Sequence, residues 1–371
     1  MEKNIYEIAG EESVITPQLV YYLDIVKENT KEVIRIAGSA ERLWPHVKTH
    51  KSIDMVKMLI SMGIHRFKCA TIPECEMVAM AGASDAVLSY PLIGPNVERF
   101  LALEKMYPEC AFYAIGDDYD AIKILSDKAE EQGSKVRFLL DVNMGMNRTG
   151  VELDKAEDLA RKVSVLPGIN FKGMHCYDGN HNNSDFQRRL ADVKETDDIV
   201  DGIKASLEKD GIDCNVMIMG GTPSFPCHAK LTDYYLSPGT CFVYDGGYKK
   251  NLPDINLVPA GILMTRVISH PSKGMFTVDL GYKGIASDPA GVRGTIVGLD
   301  DAEVAFQSEE HWVFRMKEGK ENERPAIGTM LYVIPTHICP TSALYSDILI
   351  AENGRITDKW PVTARNRKIN I

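Results

Sequence analysis

Between about residue 17 and residue 250 the chain alternates short apolar runs with longer amphipathic ones. That alternation limits the fold more than any other feature. Apolar runs fall at residues 19–23, 66–70, 86–90, 111–115, 136–140, 171–175 and 216–219, with helical spacing between them at 53–62, 97–106, 119–131 and 153–163. Strands that alternate with helices pair in parallel, and about eight such units close into a (β/α)8 TIM barrel. A doubly wound open sheet is the competing architecture. No Gly-x-Gly-x-x-Gly follows the first strand, which weakens a dinucleotide-binding reading.

The texture changes after about residue 255. Strand-like runs at 258–268, 274–280, 296–299, 304–306, 312–316 and 330–334 are separated by Gly, Pro and Asp clusters, and helical periodicity is lost. This predicts a C-terminal all-β domain. The 371 residues are enough for one large domain and a smaller one. The expected division is a barrel over 16–252 and a β domain over 253–371, to which residues 1–15 add a strand.

A net charge of -10 and a pI of about 5.5 argue against nucleic acid or an anionic membrane surface as partners. No run is long and apolar enough to span a bilayer, and the N-terminus lacks the apolar core of a signal peptide. The expected location is cytoplasmic. The eight cysteines (69, 75, 110, 176, 214, 227, 241, 339) have no paired spacing and read as buried small apolar groups.

The chemistry is concentrated at predicted strand ends, where a barrel keeps its active site. Pro45-His46-Val47-Lys48-Thr49-His50-Lys51 sets a lysine among other cationic groups. Such crowding lowers a lysine's pKa and leaves some neutral amine, the nucleophile that condenses with an aldehyde. Gly220-Gly221-Thr222 and Gly239-Thr240 suit a phosphate, with backbone N–H groups and hydroxyls as donors. A reactive lysine beside a phosphate site points to pyridoxal 5′-phosphate. Arg148, in the glycine-flanked turn 145–150, can pair with the cofactor's phenolate oxygen or with a substrate carboxylate. Tyr177 can meet the cofactor ring. In Pro335-Thr336-His337-Ile338-Cys339-Pro340 an extended backbone would point His337 and Cys339 the same way, as two ligands of one metal ion. Imidazole with thiolate favours zinc; manganese, cobalt and magnesium are the alternatives. Asp178, His181, Glu310 and His311 are polar loop residues that can reach the site.

Taken in order, the Pro-His-Val-Lys-Thr-His-Lys heptad, the Gly-Met-Asn-Arg-Thr-Gly turn, the Gly-Gly-Thr-Pro-Ser loop and the His-x-Cys pair resemble the D-threonine aldolase / D-serine dehydratase family. These are alanine racemase-like, fold-type III pyridoxal-phosphate enzymes, and the resemblance runs from about Thr16 to Ile350. It implies a cofactor-binding barrel, a β domain and a homodimer with active sites near the subunit interface. It makes Lys48 the cofactor-bearing lysine and Arg148 the partner of the phenolic oxygen. Tyr177 becomes the ring neighbour, His46 joins Gly220, Gly221, Thr222, Gly239 and Thr240 in cofactor binding, and His337 and Cys339 hold the metal. A metal beside the cofactor argues against a plain racemase, because it can bind a substrate's β-hydroxyl. The leading expectation is retro-aldol cleavage of a D-threonine-type substrate to glycine and an aldehyde, with His50 or a metal-bound water as base. D-serine or 3-hydroxyaspartate dehydration is the alternative, with Lys48 as base, and Cys339 leans that way. A non-catalytic cofactor carrier would lack the β domain, and a sugar-phosphate barrel enzyme would lack a lysine-bound aldehyde.

Overall fold

The computed structural model describes residues 4–371, so the first three residues of the expected 1–15 strand lie outside it. Two compact units are present: Met1–Glu32 with Thr240–Val362, and Val33–Gly239 with Thr363–Ile371.

The second unit is the barrel. Its parallel strands run in the order Arg66–Cys69, Asp85–Leu88, Ala111–Gly116, Val136–Asn143, Ile169–Tyr177, Val216–Met219 and Tyr235–Leu236. Residues 43–46 close the ring. Leu43 bridges Leu236, and His46 bridges Lys68, both in parallel. The closing bonds are Trp44 N–H to Leu236 O at 2.8 Å and Lys68 N–H to Pro45 O at 2.9 Å. Helices such as Ile53–Ser61, Ile72–Met80, Tyr119–Glu131 and Leu153–Ser164 separate the strands. Caps fix where helices start: Thr71 accepts the Glu74 N–H, and Asp118 accepts the Ala121 N–H.

The first unit is built on sheet. Its path runs Ala302–Gln307, Trp312–Met316, Met275–Val278, Gly261–Ser269, Gln18–Tyr22, Asp347–Glu352 and Arg355–Pro361. Strand Met330–Pro335 pairs with Gly261–Ser269 and with Gly294–Ile296. Tyr6, Ile8, Val20, Tyr22, Ile262, Met264 and Tyr332 belong to its core.

Two expectations change here. Residues 19–23, counted with the barrel on alternation alone, form a strand paired antiparallel to Gly261–Ser269 and parallel to Asp347–Glu352. An apolar run carries no label for the sheet that will take it. Residues 4–15 add no strand. They form a 3-10 turn at Glu11–Ser13 and a single bridge from Ala9 to Arg355, and Tyr6 secures the segment through its hydroxyl to Pro259 O at 2.9 Å.

Candidate active site

Successive strand residues point to opposite sides, so parity selects the side chains that face the barrel axis. Trp44, Val87, Tyr113, Ile115, Leu139 and Ile218 form an apolar cluster there. Two residues further along the same strands come His46, Ser89, Asp141 and, beside Ile218, His175. Lys68 pairs in register with Val87, Asp141 with His175, and Asn143 with Tyr177. The carboxyl ends of the strands thus carry a polar layer on an apolar floor.

The heptad closes this layer in a way its sequence did not suggest. His46 caps the 3-10 turn Val47–Thr49, its Nδ1 accepting the Lys48 N–H at 3.3 Å. His50 Nδ1 accepts the Ser52 N–H at 3.2 Å, at the start of helix Ile53–Ser61. Both rings are buried. Burial pushes His50 down to about 3. Burial, with Lys68 and Lys48 nearby, holds His46 well below the usual histidine range. Lys51 forms an ion pair with the buried Glu74 carboxylate. The expected cluster of cations is therefore not present: both imidazoles are neutral and Lys51 is paired, which leaves Lys48 as the half-buried amine of the loop. His50 is committed to an amide and resists protonation, so it is a poor proton acceptor at neutral pH.

The loosened proton belongs to a residue the motif reading passed over. Lys68 is pushed down to about 7 by burial first, then by Lys48 and Arg148, against the pull of Asp141 and Asp178. Its Nζ lies 3.4 Å from His175 Nε2, and His175 Nδ1 lies 2.7 Å from Asp141 Oδ1. The signal was available: Arg66 and Lys68 share one face of a barrel strand, and parity from Tyr177 reaches His175.

Tyr177 and Arg148 come together, with the guanidinium carbon 4.6 Å from the ring centroid. The glycines of 220–222 serve close approach. A Cβ on Gly221 would come within 2.9 Å of the Tyr177 ring, and one on Gly220 within 2.8 Å of His228. Their N–H groups are engaged inside the protein: Gly220 to Cys176 O at 2.9 Å, Gly221 to Ser224 Oγ at 3.0 Å. Gly239 donates to Thr222 Oγ1 at 3.1 Å. The expectation that these glycine amides face a phosphate is corrected accordingly, and the threonine hydroxyls become the donors to consider. Beneath the loop, His228 stands between Asp178 and Asp197 at 2.9 Å from each, and Ser224 Oγ donates to Asp178 at 2.5 Å. Burial opposes the charge on His228, yet the two carboxylates raise it to about 10.

A pyridoxal phosphate fits this donor set. Lys48, Lys68 and Arg148 supply positive charge in an acidic chain, while Asp141 is bonded to His175 and Asp178 to His228. An anionic phosphorylated ring complements that surplus.

In the sheet unit, His337 precedes the short helix Ile338–Ser342 as its N-cap. Cys339 therefore lies in a helical turn, and the extended i, i+2 argument does not apply to it. Cys339 Sγ is 3.3 Å from Thr240 Oγ1. His337 Nδ1 is 3.3 Å from Asp288 Oδ2, so a carboxylate orients this imidazole. Among the described residues no group of three or more His, Cys, Asp or Glu is arranged to hold a metal. A two-donor pair suits an exchangeable cation that completes its shell with water or substrate.

The family model of the alanine racemase N-terminal domain matches residues 22–244, and that of the putative serine dehydratase domain matches 260–351. The chain belongs to the alanine racemase N-terminal domain family. It is 26% identical to a D-threonine aldolase of Arthrobacter sp over 361 residues, covering 95% of this chain and 93% of that one. It is 27% identical to a 3-hydroxy-D-aspartate aldolase of Paracoccus denitrificans over 379 residues, covering 96% and 94%. The crystal structure of D-threonine aldolase from Filomicrobium marinum superposes with a TM-score of 0.86 at 26% identity, covering 95% and 96%. The resemblance read from the motifs is borne out, and so is the racemase-like fold of barrel plus β domain. With aldolases as relatives along nearly its whole length, the chain is an enzyme and a lyase. No helix among the described residues is long and apolar enough to cross a membrane.

Proposed function

We propose that this enzyme is a pyridoxal-phosphate- and divalent-metal-dependent lyase of D-3-hydroxy-amino acids, cleaving D-threonine-type substrates to glycine and an aldehyde. The supporting observation is the polar layer in which the Lys48 loop, Lys68 and the stacked Arg148–Tyr177 pair concentrate positive charge at the strand ends. Relationship to aldolases over both units supports this reading.

The cofactor, when bound, supplies an electron sink for the bond that breaks at Cα. Lys48 would carry it and move protons at Cα, with its backbone amide fixed by His46. Arg148 would neutralise the phenolic oxygen, and Tyr177 would flank the ring. Thr222 and Thr240 would hold the phosphate with their hydroxyls, and Gly220, Gly221 and Gly239 would serve the cofactor by letting His228, Tyr177 and His46 pack close to the loop backbone. His337 and Cys339 would hold zinc or manganese, with magnesium and cobalt as replacements, and the cation supplies Lewis acidity toward the β-hydroxyl. His50 would position the loop. A cytoplasmic homodimer taking a small D-amino acid completes the proposal.

Dehydration of D-serine or 3-hydroxyaspartate is the second reading. Cys339 favours it, as does the serine dehydratase match over 260–351. Purified protein supplied with pyridoxal phosphate and Mn2+ or Zn2+ is incubated with D-threonine and, separately, with D-serine. Glycine from D-threonine supports cleavage, pyruvate from D-serine supports dehydration, and neither product overturns both.

A further inference from the structure

The function just proposed uses Lys68 only as one of several positive charges at the strand ends, yet its surroundings are more specific than that. It is 2% exposed on strand Arg66–Cys69. Its amine stands in series with an imidazole and a carboxylate, at 3.4 Å from His175 and then 2.7 Å from His175 to Asp141. The second oxygen of Asp141 has no partner among the described residues, so this carboxylate is not diverted elsewhere. The amine end faces the Tyr177 ring at 5.2 Å from its centroid, the same ring that Arg148 stacks on. A lysine buried for structure alone would be paired directly with a carboxylate, as Lys51 is with Glu74. Lys68 instead meets a neutral imidazole.

We propose that Lys68 is a proton-exchanging residue of the cofactor site, coupled to Asp141 through His175, and that its charge sets how tightly the site holds its anionic cofactor as pH changes. The inference rests on the cofactor assignment above. The charged groups that face Lys68 are Lys48 and Arg148, which drive its proton off, and Asp141 and Asp178, which hold it. Neighbouring His46 and His175 are kept neutral, in both cases chiefly by burial. Lys68 loses its proton near neutrality, at about 7. Below that point the ammonium attracts the phosphorylated ring, and above it the attraction is gone. A bound anion in turn holds the proton on more firmly, since the coupling is reciprocal.

The test uses the full chain freed of cofactor, labelled with 13C at lysine Cε, together with Lys68→Met and Asp141→Asn. Wild type is expected to show one lysine signal titrating near neutrality that is missing from Lys68→Met. Asp141→Asn should move it to lower pH, because a carboxylate that held the proton is removed. Pyridoxal phosphate affinity, followed by absorbance, should fall about tenfold across the same midpoint in wild type and not in Lys68→Met. If all lysine signals stay protonated to about pH 9, the ordinary lysine behaviour, the proposal is overturned. It is also overturned if Lys68→Met keeps the wild-type affinity profile. Failure of wild type to bind pyridoxal phosphate at any pH overturns the functional assignment as well. Should Lys68→Met not fold, the wild-type titration and its displacement in Asp141→Asn still decide the point.

Discussion

Replacing His228 with glutamine tests how the loop at residues 220–222 is held up. His228 is fully buried, 2.9 Å from Asp178 and 2.9 Å from Asp197. These carboxylates raise its imidazolium from 6.5 to about 10 against the effect of burial. At roughly 1.4 kcal/mol per pH unit that rise is worth at most about 5 kcal/mol, and removing one partner of a buried ion pair costs about 3 kcal/mol at the low end, which is the figure used below. The sign follows from the direction. A group raised in the folded state contributes fully below its ordinary value of 6.5 and loses that contribution as pH climbs toward about 10. His228→Gln keeps two polar ends but cannot take the charge, and it leaves two carboxylates facing an amide. Equilibrium urea unfolding should find it less stable than wild type by about 3 kcal/mol at neutral pH. That gap should narrow steadily on the way to about pH 10. Buried tyrosines and cysteines titrate in the same alkaline range in both proteins, so the difference between the two isolates His228. A gap that stays constant with pH refutes the charged triad.

Gly173→Ala should be among the most damaging single changes in the barrel, since φ is +141° and a Cβ would lie 2.2 Å from Val216 O across the sheet; a loss of about 3 kcal/mol or more is expected in urea unfolding. Gly221→Ala pushes on the Tyr177 ring from 2.9 Å, and pyridoxal phosphate affinity measured by absorbance should fall about tenfold or more, the equivalent of ~1.4 kcal/mol. Chelation with EDTA should abolish turnover while the absorbance of lysine-bound cofactor persists, and Cys339→Ala should behave like the chelated protein; loss of the absorbance on chelation would contradict separate metal and cofactor sites. These outcomes rest on donor chemistry at His337 and Cys339.

Much of this was legible in the residues. The alternation of apolar and amphipathic runs gave the barrel, and the loss of helical period after about residue 255 gave the β domain. Residues 19–23 went to the other sheet because an apolar strand fits either one until its partners are known, and those partners lie at 261–264 and 349–351. The motifs pointed to Lys48, Arg148 and Tyr177, but the charge states expected of their neighbours were wrong. Charge state depends on burial and on which atom meets which amide, and sequence spacing encodes neither. His46 and His50 looked like cations and are neutral caps. Lys68 looked like an ordinary strand residue and is an amine whose proton burial loosens. The Asp178–His228–Asp197 triad joins residues up to 50 apart in the chain, and only folding brings them into register.

The central claim is that Lys48 carries the cofactor, and reduction with borohydride followed by peptide mapping tests it most directly. Protein loaded with pyridoxal phosphate and then reduced should yield one peptide bearing a pyridoxyl group, with the modification on Lys48. A pyridoxyl group found on Lys68, or a protein that emerges from reduction unmodified, would contradict the account.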